Sequence, residues 1–218
     1  MANQRKEARS VASPRSGNGF WIDHAAIDWD DLEWLIQVER LILWNVTVPK
    51  DFLRRLPRLW WIDIRGGSAT DLSILRGLTE LEFLSVNQVR GFSDASELPA
   101  FRKLRMLDLY GLPKLQEIPS LGQLHSLERV QLGQLRGLQS IQGVVDAPSL
   151  RELLLSKRVE VSETDVAAMR RHSSLAQLHW NPEDIPSSMW QPVLNAVGLP
   201  RAEAMLAENW FKARGRAG

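Results

Sequence analysis

A spacing of apolar residues, three apart and then two apart, recurs along this chain at nearly constant intervals, and few folds can satisfy it. Leu104, Leu107 and Leu109 show it. Leu127, Val130 and Leu132 repeat it 23 residues later, and Leu150, Leu153 and Leu155 repeat it again. Upstream the trio is Val38, Leu41 and Leu43, then Leu59, Ile62 and Ile64, then Leu81, Leu84 and Val86. Downstream it ends with Leu175, Leu178 and Trp180. The steps are 21, 22, 23, 23, 23 and 25 residues, and 20 of the 21 positions are Leu, Ile or Val. Those types make up only about a quarter of the chain, so chance does not produce the pattern. A fixed period of roughly 20–50 residues marks a repeat architecture.

Before each trio the period changes. Leu121, Leu124 and Leu127 are three apart, as are Leu75, Leu78 and Leu81, and Leu53, Leu56 and Leu59. A period of three fits a tight helical turn and a period of two fits a strand. Each repeat is therefore predicted to be a turn or short helix feeding a short strand. One such unit cannot bury its apolar face alone, so neighbours must stack, with a parallel sheet on one side and turns on the other.

The pattern resembles the leucine-rich-repeat family, whose segment runs L-x-x-L-x-L-x-x-N/C-x-L. The resemblance spans residues 38–185 and implies an α/β solenoid of about seven repeats, with a concave sheet and a convex layer of turns. The family's Asn or Cys position is occupied here by Val46, Gly67, Val89, Leu112, Leu135, Arg158 and Glu183. None is Asn, so the turn groups that an Asn ladder would bond must find water or backbone partners. Leucine at that site, with "LYGLPKLQEIPSLGQL", is similar to the repeats of plant intracellular immune receptors, here in a small stand-alone protein of bacterial type. Nothing resembles those receptors' nucleotide-binding domain, so only the repeat style transfers.

A solenoid needs its two ends covered. Residues 20–37 read as an N-terminal cap, in which Asp30 and Glu33 match a capping box and Leu32, Leu35 and Ile36 give an amphipathic helix. Trp21, Trp29 and Trp34 are placed to cover the first repeat. Residues 186–218 read as a helical C-terminal cap and tail, with Trp190, Leu194, Val197, Met205, Leu206, Trp210 and Phe211 as packing residues and Trp180 meeting them. Residues 1–19 read as a disordered tail; being Ser- and Arg-rich, they also suit an export leader.

The chemistry is sparse. The chain has no cysteine, which excludes disulfides, thiolate metal sites and a cysteine nucleophile, and suits a reducing cytoplasm. Bacterial effector ligases with similar repeats use a cysteine in a further domain, and that activity is closed to this chain. No phosphate loop, nucleophile elbow or zinc-protease motif occurs. His24, His125, His172 and His179 lie at no metal-ligand spacing, and His125 and His172 fall in turns, where solvation is the default. His179 should project from the sheet face with Asn181, but neither is a nucleophile. Asp23, Asp28, Asp30 and Asp31 read as the acidic start of a helix rather than as a metal site. No cofactor or metal is expected, and no catalytic residue is assigned. A net charge of +1 gives no field for nucleic acid or an anionic membrane, and the Arg54, Arg55 and Arg58 cluster falls on the turn side.

If the trios point inward, the interleaved residues form three columns on the concave side. The first is Arg40, Trp61, Phe83, Met106, Arg129, Glu152 and Gln177. The middle is Ile42, Asp63, Ser85, Asp108, Gln131, Leu154 and His179. The third is Trp44, Arg65, Asn87, Tyr110, Gly133, Ser156 and Asn181. Aromatic and Arg residues set among polar ones are the composition of binding hot spots. The expected protein-binding residues are Arg40, Trp44, Trp61, Asp63, Arg65, Phe83, Asn87, Met106, Asp108, Tyr110, Arg129 and Gln131. The chain then reads as a non-enzymatic module, monomeric when free, that holds a protein partner on its concave face. A bacterial immunity protein occluding a toxin domain is one version, and an exported effector gripping a host protein is the other.

Overall fold

The computed structural model describes residues 6–216. Nine strands form one sheet. From one edge to the other these are β2 (Ser13–Arg15), β3 (Gly19–Asp23), β5 (Arg40–Trp44), β6 (Trp61–Arg65), β7 (Phe83–Asn87), β8 (Met106–Tyr110), β9 (Arg129–Leu135), β10 (Glu152–Val159) and β11 (Gln177–Asn181). All pairings from β3 to β11 are parallel. The register follows the repeat: Leu41, Ile62, Leu84, Leu107, Val130, Leu153 and Leu178 lie opposite one another across the sheet.

The alternation of a strand sends the trios into one continuous core. Every trio residue is buried except Ile64, which is half-buried. Short 3-10 turns at Leu53–Arg55, Ser73–Leu75 and Leu98–Ala100 make the other layer, as the period of three predicts. Toward the C-terminus this layer thickens into α3 (Gln142–Val145) and α4 (Glu163–Arg171). Ser162 caps α4 reciprocally with Asp165.

Three of the family's seven Asn positions are filled by apolar packing, with Leu112 and Leu135 fully buried and Val89 nearly so, whereas Arg158 and Glu183 are exposed. The turn N–H groups find backbone partners. Asn45, Gly66, Gln88 and Gly111 each donate to the carbonyl of the next strand's last residue or its counterpart, at Arg65, Asn87, Tyr110 and Gly133, over 2.7–2.9 Å. These turn residues have positive φ, which Gly66 and Gly111 adopt without steric cost.

The ends differ from the sequence reading. Residues 6–15 are not a free tail: β1 (Lys6–Glu7) pairs with β4 (Ala25–Ala26), Ala8 of α1 (Ala8–Val11) is buried, and β2 hydrogen-bonds antiparallel to β3. Residues 1–5 lie outside the described residues. The predicted cap at 20–37 begins with a strand, because Phe20 and Ile22 sit 21 residues before Leu41 and Leu43 and pair with them. The helix α2 (Leu32–Leu35) has no side-chain cap bond, so the Asp30–Glu33 box does not form. Instead Asp31 accepts from the Asp28 N–H and from Trp34 Nε1. Trp34 meets Phe20 edge-on at 5.0 Å over the open end, whereas Trp29 is half-exposed against Phe52. At the other end α5 (Ser187–Val197) packs on the core as expected. Residues 200–202 then hydrogen-bond to Leu178 on the outer edge of β11. No helix among the described residues is long and apolar enough to cross a membrane.

Candidate functional site

The last helix, α6 (Ala207–Ala213), does not stack on the end of the solenoid. It crosses back over the concave sheet and lies on the first column. Trp210 and Phe211 are buried there in an apolar cluster with Trp60, Trp61, Phe83 and Met106 that is separate from the main core. Trp61 stacks on Phe83 at 3.8 Å, and Phe211 packs edge-on against Trp60, Trp61 and Phe83 at 5.3–6.2 Å. Leu206, expected to pack, is instead 70% exposed.

Polar contacts hold the same helix. Glu152 accepts from Arg129, from Arg214 and from Trp210 Nε1, the last at 3.2 and 3.3 Å. Arg129 is fully buried and also donates to the Glu203 carbonyl at 2.9 Å. Arg40, whose guanidinium lies over the Trp61 ring, pairs with Glu208 at 3.0 Å. Arg216 reaches Glu82 at 3.0 Å and lies over Trp60. Burial lowers the pKa of both Arg40 and Arg129, but each keeps a carboxylate partner.

Six of the twelve expected recognition residues are therefore corrected. Arg40, Trp61, Asp63, Phe83, Met106 and Arg129 are buried in the free protein, not displayed. The column assignment itself is right, since Arg40, Trp61, Phe83, Met106, Arg129 and Glu152 align across the sheet. What sequence reasoning missed is that the chain supplies its own cover. A signal existed: an apolar shelf in the first column and a Trp-Phe pair followed by "KARGR" at the far end are complementary. Trp60 is buried, at the edge of the same shelf.

The third column stays open apart from Gly133, and with it Asp108, Gln131 and His179 of the middle column, whereas Ile42, Asp63, Ser85 and Leu154 of that column are buried. Toward the C-terminal repeats these two columns form a cleft of ≈ 460 Å³ lined by Asn87, Asp108, Tyr110, Gln131, Leu154, Ser156, His179 and Asn181, with Arg201 and Ala204 on the far wall. Gly133 shapes it, because a Cβ there would collide with the Tyr110 ring and Ser156 Oγ. Toward the N-terminal repeats lies an aromatic patch. Trp44 is 40% exposed and packs against Trp21 at 5.8 Å, and the guanidinium groups of Arg15 and Arg65 flank Trp21 at 5.0 and 5.2 Å. Of the expected residues, Trp44, Arg65, Asn87, Asp108, Tyr110 and Gln131 share this open strip. Trp21 joins them through β3, which the sequence reading took for part of a helical cap.

Charge on the strip is mixed. Arg65 reaches beneath the strip to the buried Asp63 through two contacts to one oxygen, at 2.6 and 2.9 Å. Asp108 keeps some surface open to the cleft yet lies deep in the concave face. Burial, reinforced by the charge of Asp63, pushes its carboxyl up to about 7, against the Ser85 hydrogen bond and the charges of Arg65 and Arg129. The folded state thus binds this proton more tightly than the unfolded chain does. Its contribution to stability is complete below the unfolded carboxylate range and is lost as pH rises through about 7. Asp108→Asn is expected to flatten this slope: urea midpoints at about pH 5 and about pH 8 should differ less than in the native chain.

His179 contacts Arg201 at 3.3 Å, and burial followed by the Arg201 charge lowers its pKa. His172, expected in solvent, is a structural residue: its Nδ1 accepts from the Ser174 and Leu175 N–H groups, and Nε2 lies 3.0 Å from the Ala147 carbonyl. Arg54, Arg55 and Arg58 are exposed on the convex side, away from the strip. Among the described residues no group of three or more His, Asp or Glu is placed to hold a metal.

Seven aligned parallel strands, one apolar trio each, decide the architecture. The chain folds as a leucine-rich-repeat solenoid. No family model and no curated protein matches the sequence. Among solved structures it is similar to an internalin C2 from Listeria monocytogenes, with 16% identity, 75% of this chain and 80% of that chain covered, and a TM-score of 0.48. It is also similar to a second internalin of that species, with 15% identity, 85% and 73% covered, and a TM-score of 0.34.

Proposed function

We propose that this solenoid is a non-enzymatic module that holds a protein partner along the open strip of its concave face, from Trp21 and Trp44 to the cleft at Tyr110 and His179. The observation that carries this is the solvent-exposed Trp44, set against Trp21 and bordered by Arg65, on a face whose first column is sealed by the chain itself. An exposed aromatic with flanking guanidinium groups is what interface anchors look like. The strip carries Asp108 as well as Arg65 and Arg201, which suits a protein surface better than a run of phosphates. The partner is envisaged as a toxin domain and the chain as a monomeric bacterial immunity protein, acting in the cytoplasm by occlusion.

The alternative, an exported effector using its N-terminus as a leader, fits less well with β1 pairing with β4 and β2 forming the edge of the large sheet. A deletion that separates the two versions must stop before Lys6, since removing Ala8 would open the core. Loss of secretion on that short deletion would favour the effector.

Trp44→Ala is expected to leave the unfolding midpoint nearly unchanged and to weaken binding of the captured partner by about 2 kcal/mol, measured by calorimetry. Unchanged affinity would remove the strip from the site.

A further inference from the structure

The shelf beneath α6 is built differently from the core of the solenoid. Trp60, Trp61, Phe83 and Met106 pack with α6 and its flanks but do not belong to the continuous leucine core. The cover is short, seven residues, and is reached through a non-helical stretch that starts at Gly198 and Pro200. Beyond its two rings, it is fastened largely by charge. Glu208 at its start meets Arg40, while Arg214 and Arg216 at its end meet Glu128, Glu152 and Glu82.

The cover also fits incompletely. Among the described residues, five buried side-chain polar atoms have no hydrogen-bond partner, and three of them are donors in the first column: Arg40 Nε, Trp61 Nε1 and Arg129 Nε. Burying a donor without an acceptor costs stability, so these atoms favour an occupant that brings acceptors the chain's own helix does not supply. A short terminal helix held by partly exposed ion pairs and reached through irregular chain is the kind of segment that opens before the rest of a fold.

We propose that α6 is a displaceable lid, and that the shelf beneath it is a second docking surface for a helical segment of a protein partner. Charge complementarity defines that segment. It carries an acid at its start to meet Arg40, a pair of adjacent aromatics for the Trp61–Phe83 stack, and basic residues at its end for Glu82, Glu128 and Glu152. This is the charge order of α6 itself, with added acceptors for Arg40 Nε, Trp61 Nε1 and Arg129 Nε. The surface uses different residues from the open strip, so either proposal can fail without the other.

The test uses the intact chain and a fluorescent synthetic peptide of residues 203–216. In the native protein, amide hydrogen exchange at 207–213 is expected to be faster than at β6–β8, reporting opening without global unfolding. Two variants weaken the lid by separate routes: Phe211→Ala removes a ring, and Arg214→Glu sets like charges against Glu128 and Glu152. Each is expected to bind the peptide at least about tenfold more tightly than the native chain, whose own helix competes. A peptide with Ser in place of Trp210 and Phe211 should not bind. Exchange at 207–213 no faster than at β6–β8, or no peptide binding by whichever variant keeps its strand amides protected, overturns the proposal. A concentration-dependent dimer that the peptide dissolves would assign the shelf to a second copy of this chain and overturn the assignment to a foreign helix.

Discussion

Glu152→Ala is expected to lower the free energy of unfolding by about 3–5 kcal/mol, the range for removing one partner of a buried ion pair. Glu152 is the acceptor for Arg129, Arg214 and Trp210 Nε1 together. Without it, the fully buried Arg129 keeps only the Glu203 carbonyl, and α6 loses its charge anchor. Urea unfolding followed by circular dichroism reads the change. Glu152 occupies the first concave column, where an exposed residue could be replaced at almost no cost. A loss under about 0.5 kcal/mol would mean that the helix is not docked there.

Trp61→Ala is the second large effect, and the sequence reading expected the opposite of it. As an exposed anchor, Trp61 could be truncated with the fold intact. At 2% exposure, stacked on Phe83 and met by Phe211, its removal is expected to cost about 3 kcal/mol or more. The same truncation should speed tryptic cleavage at Lys212 and Arg214, because α6 loses the ring it rests on. Trp44→Ala should do neither. The contrast between these two tryptophans, both on the concave side of neighbouring strands, separates a sealed column from an open one.

What could be read from the sequence follows from what a repeat constrains. A trio such as Leu104, Leu107 and Leu109 fixes a strand, its pleat and its neighbours at once, because a one-residue slip would turn leucines to solvent. Hence the register, the three columns and the convex turns were all legible. The capping box at Asp30 and Glu33 was a local signal with no periodic support, and packing overrode it: Phe20 and Ile22 extend the sheet, and Asp31 bonds elsewhere. The fate of the first column was not legible from local patterns. Whether Trp61 meets water or Phe211 depends on a contact 150 positions away in sequence, made by a helix that periodicity alone assigns to an end cap. Of the expected residues, those that stay at the surface are Trp44, Arg65, Asn87, Asp108, Tyr110 and Gln131, which α6 does not cover.

The most direct measurement of this division is hydroxyl-radical footprinting of the free protein, read at each aromatic and methionine. The sealed-column account predicts rapid oxidation of Trp44 and Trp29, with Trp61, Phe83, Met106 and Trp210 protected to the level of the core residue Trp180. If Trp61 and Met106 oxidise as fast as Trp44, the first column is open and the account is contradicted.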